Sequence, residues 1–538
     1  MKDSASILTP IPAHDSPALP TMAEWQAFRQ AAELADRKGE TLRIIEAAGL
    51  SIDLSAQPTS EAFTEASHAL LRAREFKQMR RQLLEGGVVN HTEDRAAWHS
   101  MLREPSPTPE VAHERNRLLQ FVQRADNERR WRHVLHIGIG GSDWGLRLTV
   151  AAFGYTGTWR DIRFVANIDG HAIEGGLSGL NPHETVVVIA SKSFTTAETL
   201  ENAQRAIEWL RAAGVKHPER QLVAVTARPT IARKFGVPKD QIFPFWDWVG
   251  GRFSFWSSVC VSTALTVGTD VMAGMLAGAH AMDEHFRTAP INRNAPVQLA
   301  LAGVANRSVL GFSSLNISVY DSRLFHLVPY LQQLEMESLG KSVTLAGEPV
   351  GVPTGPAVWG MPGTDAQHTF FQWLHQGDGA AVDFIICQQA DHRWPDHHQQ
   401  LIANCLAQRE ALLRGKSYED VLAEMDKNTD PDYAKWLAKH KVYPGGRPSS
   451  LIVLPRLSPY TLGALIALYE HKVFVQALIW GINPFDQWGV ELGKTLTSRI
   501  RKDWQNMADG KTVTRMSHDA STQHWLQRFA PSISRENS

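Results

Sequence analysis

The sequence predicts an α/β protein built on parallel sheets. Short Val- and Ile-rich runs recur at residues 134–139, 162–167, 185–190 and 222–226, and helical patterns such as 196–213 separate them. A second alternating stretch follows, with strand candidates at 317–320, 382–387 and 450–454 and helical segments at 323–336, 368–376 and 459–480. Alternation of this kind favours βαβ units, whose right-handed crossovers bring the loops after the strands to one rim where ligands bind.

Along the chain, residues 1–20 read as a flexible Pro-rich extension. Residues 21–115 read as a helical region, with Trp25, Phe28, Ala31, Ala32 and Leu34 close to helical spacing. Within it Thr92 is an N-cap candidate that would place Arg95 and His99 on one helix face. The first α/β region is assigned to 116–290, the second to 291–505, and a helical tail to 506–538. Residues 272–294 read as helix and then loop.

Composition narrows the function classes. The 538 residues allow two to four domains at roughly 100–200 residues each. The 55 basic and 56 acidic side chains give a net charge of -1, which argues against a nucleic-acid partner because phosphate-backbone binding needs a basic excess. Cys260, Cys387 and Cys405 are far apart and form neither a disulfide framework nor a CxxC metal motif, so a reducing cytosol is expected. The N-terminus lacks the basic and apolar regions of a signal peptide. The apolar stretch 459–480 carries Tyr469, Glu470, His471 and Lys472 near its middle, which points to a core helix and no membrane partner.

Six segments carry candidate chemistry. His136-Ile-Gly-Ile-Gly-Gly-Ser-Asp-Trp-Gly145 follows a strand. Its glycines, Gly141 among them, let a ligand approach the backbone, and Ser142 suits a phosphate oxygen. The dinucleotide fingerprint would need glycine where Asp143 stands, which counts against a dehydrogenase. Around Lys192, the hydroxyls of Ser191, Ser193, Thr195 and Thr196 sit at a strand end and helix start, more than simple capping needs. Arg252 follows two glycines, either as an oxyanion stabiliser or in a solvated turn. Glu337, in a helix end that also holds Gln333 and Glu335, is a general base or a solvated carboxylate. His368 opens a helix, as an acid or base or in a structural role. Gln487 and Lys494 lie in and after an Asn-, Pro- and Gly-rich loop. The His-rich tract 391–398 lacks the spacing of a metal motif and reads as a polar loop.

In this order the segments GIGGSDWG, ASKSFTTAET, GGRFSFWSS, QLEMESLGK, GTDAQHTFFQWLHQG and NPFDQWGVELGK, with NHTEDRAAWH upstream, resemble the glucose-6-phosphate isomerase (phosphoglucose isomerase) family over roughly residues 80–500. The resemblance implies two sugar-isomerase (SIS) domains, each a parallel α/β sandwich. It implies a hexose-phosphate substrate, a homodimer whose active site is shared between subunits, and no metal or organic cofactor. Gly141, Ser142, Ser191, Ser193 and Thr196 match phosphate-binding positions, and Lys192 lies within that cradle. Arg252 matches the residue near the C1 and C2 oxygens, Glu337 the proton-transfer base, and Gln333 a substrate contact. His368 matches the ring-opening group supplied by the partner subunit. Gln487 and Lys494 match further contacts, Lys494 among the catalytic residues. Ser193 stands where Thr is usual, Leu339 where Asn is usual, and Asp365-Ala366 where Asn-Gly is usual.

The activity this implies is reversible isomerisation of glucose 6-phosphate and fructose 6-phosphate through a cis-enediolate, in glycolysis and gluconeogenesis. The alternatives are an isomerase of another phosphosugar and a non-catalytic sugar-phosphate sensor, which would need the hydroxyl cradle but not Glu337, His368 and Lys494.

Overall fold

The computed structural model describes residues 17–509 and 518–533, and the chain divides into two compact units between Phe485 and Asp486. Residues 1–16 of the expected Pro-rich extension lie outside the described residues, and Leu19 at its end is buried.

In the first unit, β1 (Ile44–Ala47) and β2 (Leu50–Ala56) form an antiparallel hairpin, and β3 (Val88–Asn90) pairs with the short β4 (Arg95–Ala96). A five-stranded sheet follows from β5 (His133–Ile137), β6 (Asp161–Val165), β7 (Thr185–Ala190), β8 (Leu222–Thr226) and β9 (Ile242–Pro244). Its order is β6-β5-β7-β8-β9 and every pair is parallel. The second sheet contains β10 (Ser314–Tyr320), β11 (Ala357–Pro362), β12 (Ala381–Cys387) and β13 (Ser449–Leu454), mutually parallel in the order β13-β12-β10-β11. The hairpin extends this sheet, with β2 antiparallel to β13.

The central strands are apolar on both faces because both faces are covered. Val186 and Val188 of β7 face one core cluster, whereas Val187 and Ile189 face another. Likewise Ile385 of β12 joins the main core, and Phe384 and Ile386 join the cluster on the opposite face.

Three expectations need correction. The region 21–115 is not wholly helical, since β1 and β2 lie in it and belong to the second sheet. Leu50, Ile52 and Leu54 alternate with Ser51, Asp53 and Ser55, the period of a half-covered strand. Thr92 caps no long helix. It sits in a 3-10 turn between β3 and β4, and the backbone of Asp94 turns left-handed at φ 48°, so Arg95 and His99 share no helix face. The tract 391–398 is also not only loop, because Pro395 opens the helix Pro395–Arg414. Pro at the first helical position lacks only an N–H that would go unpaired there.

Helix Pro459–Trp480 is buried along nearly all of its length. It crosses helix Thr269–Thr288 at close range, because a Cβ at Gly463 or Gly278 would collide with the carbonyls of Met275 and Tyr460. Its central polar residues are paired. Glu470 accepts from Arg103 and, at 2.8 Å, from the Trp256 indole; His471 Nε2 lies 2.6 Å from Asp283; Lys472 Nζ lies 2.5 Å from Glu335. Arg103 also forks onto Asp283 at 2.6 and 2.8 Å.

The second unit holds a 3-10 turn, Trp488–Val490, and helices Glu491–Ala508 and Ala520–Ile533. Within it the Trp504 indole donates to the Leu526 carbonyl at 3.2 Å.

Removing Arg103 would leave two buried carboxylates without their shared cation. Arg103→Met is expected to lower unfolding stability by about 3–5 kcal/mol in urea titration, whereas a loss under about 1 kcal/mol would contradict this account of the core.

Candidate active site

Both sheets present loops at the carboxyl ends of their strands, and contacts join these loops into one cluster. After β5 the chain runs through Gly138 to Ser142. Gly140 is left-handed at φ 59°, and a Cβ there would sit 2.9 Å from the Gln333 amide nitrogen. At Gly141 a Cβ would collide with the Gly251 carbonyl. The two glycine turns can therefore meet only without side chains, and their meeting sets Gly141 beside Arg252 and Gly140 beside Gln333.

Arg252 is buried and ties three segments together. Its Nε donates to Ser338 Oγ at 2.6 Å, Nη1 to Glu337 Oε1 at 2.9 Å, and Nη2 to the Pro484 carbonyl. Glu337 Oε2 accepts from Gln333 Nε2 at 2.9 Å. Gln333 and Glu337 lie on one π-helical turn, Gln332–Glu337, a wide turn often found at functional sites. The Glu337 side chain keeps 25% of its surface exposed, so a ligand can reach the carboxylate.

The hydroxyl loop after β7 is internally bonded. Ser191 Oγ lies 3.1 Å from Thr196 Oγ1 and accepts from the Phe194 amide at 3.1 Å, while Thr195 Oγ1 donates to Ser193 Oγ at 2.7 Å. Phe194 is held at φ 51°, strained for a residue with a side chain, and its buried ring anchors the loop. Lys192 Nζ donates to the carbonyls of Asp247 and Val249, both at 2.8 Å. Burial, reinforced by nearby Arg95, pulls this ammonium down to about 8. Lys192 thus braces the turn that carries Arg252, a role its place among the hydroxyls does not announce.

The upstream segment reaches the site through Asn483. The Asn483 side-chain amide donates to Asn90 Oδ1 at 2.9 Å and to Thr92 Oγ1 at 2.8 Å, which fixes the loop whose next carbonyl, Pro484, receives Arg252.

The phosphoglucose isomerase family model matches residues 53–526. A glucose-6-phosphate isomerase of Bordetella petrii is 55% identical over 519 residues, covering 95% of this chain and 99% of the relative. One of Caulobacter vibrioides is 42% identical over 506 residues, covering 90% and 93%. The chain belongs to the phosphoglucose isomerase family. Among solved structures, a glucose-6-phosphate isomerase from Chlamydia trachomatis superposes with a TM-score of 0.81 at 29% identity, covering 96% of this chain and 100% of that one. A hypothetical protein from Thermus thermophilus superposes with a TM-score of 0.63 at 25% identity, covering 85% and 99%.

Of the residues expected in this phosphoglucose isomerase family site, the structure joins Gly141, Arg252, Gln333 and Glu337 by direct contact, and Lys192 links the hydroxyl loop to the Arg252 turn. Contrary to expectation His368 opens no helix: it caps the C-terminal end of the short helix Gly363–Gln367, the next helix beginning at Phe371. It is exposed, with no hydrogen bond to its ring among the described residues. Gln487 and Lys494 belong to the second unit, where Lys494 is exposed and paired with Glu491 at 2.7 Å.

Sequence reasoning passed over Ser338, the acceptor for Arg252 Nε, and gave no role to His136. His136 Nε2 lies 2.7 Å from the Ser142 carbonyl, so that nitrogen must carry the proton, and Nδ1 accepts from Ser262 Oγ at 2.8 Å. The ring shapes the glycine turn from beneath. Nothing in the spacing of His136 distinguishes it from any other strand residue.

Burial pushes the His136 imidazole down to about 4 from its ordinary 6.5. As pH falls through that window the unfolded chain binds the proton first, so stability drops with acidification, by up to about 3 kcal/mol. His136→Gln is expected to lose less melting temperature than the wild type between pH 7 and pH 4.5, and equal losses would contradict the neutral ring. Gly141→Ala is expected to cost roughly 1–3 kcal/mol in chemical denaturation, because two backbones must part to admit the methyl.

Proposed function

We infer that this chain interconverts glucose 6-phosphate and fructose 6-phosphate as an aldose–ketose isomerase. The observation that carries the mechanism is the Glu337 carboxylate, held at one oxygen by Arg252 and at the other by Gln333 while part of it stays open to solvent. The reaction needs a base beside two adjacent carbons and a cation beside the oxygens that gain charge.

The phosphate binds at Ser142, Ser191, Ser193 and Thr196, with hydroxyls and loop amides as donors. Anchoring there aligns C1 and C2 with Glu337. In the aldose-to-ketose direction Glu337 takes the proton from C2. The C–H electron pair becomes the C1–C2 double bond, and the C1 carbonyl oxygen becomes the enediolate oxyanion. The Arg252 guanidinium, kept rigid by Ser338 and the Pro484 carbonyl, stabilises that charge as it develops. The proton of the C2 hydroxyl passes to the C1 oxygen. As the C2 oxygen re-forms a carbonyl, the C1–C2 double-bond pair takes the proton back from Glu337 at C1. Gln333 orients the carboxylate.

His368 opens the sugar ring by moving a proton at the ring oxygen. Its exposure, without a partner for its ring among the described residues, supports its delivery to the site of a second subunit in a homodimer. The family resemblance assigns further substrate contacts to Gln487 and Lys494. We read the two sheets as the centres of two sugar-isomerase domains and the enzyme as a cytoplasmic member of glycolysis and gluconeogenesis. No step calls on a metal ion.

The test is a coupled NADP-reducing assay of fructose 6-phosphate turnover in EDTA. Wild-type protein is expected to turn over without added metal. Glu337→Gln is expected to lose on the order of 10²–10⁴ in turnover with little change in KM, because the amide cannot accept the proton. Near wild-type turnover in that variant would remove Glu337 from the mechanism, and binding without turnover in the wild type would favour a sensor.

A further inference from the structure

The π-turn that carries Glu337 also carries Glu335, and the two carboxylates face opposite ways. Glu337 meets Arg252 and Gln333 on the open side. Glu335 is fully buried and meets Lys472 Nζ at 2.5 Å on the core side. Lys472 stands mid-way along helix Pro459–Trp480, and its ammonium lies 5.2 Å from the centre of the Tyr469 ring. Tyr469 in turn donates to Asp383 on β12 at 2.9 Å.

We propose that Glu335 and Lys472 are positioning residues for the isomerisation: their buried pair fixes the π-turn against the core helix and so sets the direction of the Glu337 carboxylate.

The geometry supports this in three ways. First, the turn is a π-turn, a rare geometry wider than the α-helix, so contacts from outside help keep it from tightening into an α-turn. Second, the outer side of the turn is held from β11, where Gln332 Nε2 donates to the Val358 carbonyl at 3.0 Å and the Val358 amide to the Met336 sulfur at 3.4 Å. The Glu335–Lys472 pair supplies the matching restraint from the inside. Third, a buried ion pair is a poor way to gain stability, since apolar residues of similar size do as well or better. A fixed distance and direction is what a charge pair supplies and packing alone does not.

The proposal rests on Glu337 being the proton-transfer base. The decisive variant is the double substitution Glu335→Met with Lys472→Met, which removes both charges, leaves no unpaired polar group and nearly keeps both volumes. A cavity of about 20 Å³ borders Lys472, alongside Gln476 and Asp383, and leaves room for the Met chain to settle. The full chain is assayed for kcat, KM and the share of C2 deuterium that reaches C1. The expected result is a folded protein with wild-type melting temperature or higher, KM within about twofold, kcat reduced on the order of 10–10²-fold, and less deuterium carried to C1, because a displaced carboxylate loses its label to solvent. Glu335→Asp, which keeps the charge but shortens the reach, is expected to show a smaller loss of kcat at unchanged KM.

Wild-type kcat and label transfer in the double variant would overturn the proposal, leaving Glu337 as base untouched. A double variant that does not fold would also overturn it, because the pair would then serve the fold as a whole. Absence of turnover in the wild type would instead remove the underlying reading.

Discussion

Helix Pro459–Trp480 must be apolar enough to fill the core, yet it carries Glu470, His471 and Lys472 in succession at its centre. A lone buried charge costs several kcal/mol, so each demands a partner of opposite character. The three partners come from three different stretches. Arg103 lies before the first sheet, Asp283 lies on helix Thr269–Thr288, and Glu335 lies on the turn that carries the candidate base. One helix thus couples the N-terminal region and the central helix to the site. Its close crossing at Gly278 and Gly463 keeps these partners within hydrogen-bond reach.

Around Arg252 the same logic works at the surface of the core. Three acceptors from two segments, the adjacent Glu337 and Ser338 and the Pro484 carbonyl, fix one planar guanidinium. A fork with several fixed donors can be locked in this way, whereas an ammonium on a flexible stem is located by fewer contacts. Lys192 illustrates the difference: its ammonium braces the turn through two carbonyls.

The parallel strands were legible because burial on both faces makes them continuous Val and Ile runs; β7 and β8 match the expected spans, as does helix Pro459–Trp480. β1 and β2 were not, since β1 has only four residues and the pairing of β2 with β13 depends on residues far along the chain. β11 contains Gly360 and ends on Pro362, which hides it from any reading by propensity. At the site, the motif residues could be named from the sequence, but their grouping could not. That Gly141 meets Gly251, or that Glu335 and Glu337 face apart, follows from tertiary contact alone. Leu339 is fully buried, so its apolar side chain in place of Asn is accounted for by its surroundings.

The pairing of β2 with β13 also bears on the order in which the chain is made. Gln57 at the end of the hairpin donates to Ser450 at the start of β13, 393 residues later. A ribosome releases the hairpin long before the strand that completes its sheet. During that interval β2 presents an open edge with Ile52 and Leu54 uncovered, the kind of surface on which nascent chains associate wrongly. The second sheet can close only near the end of synthesis, when β13 has been made.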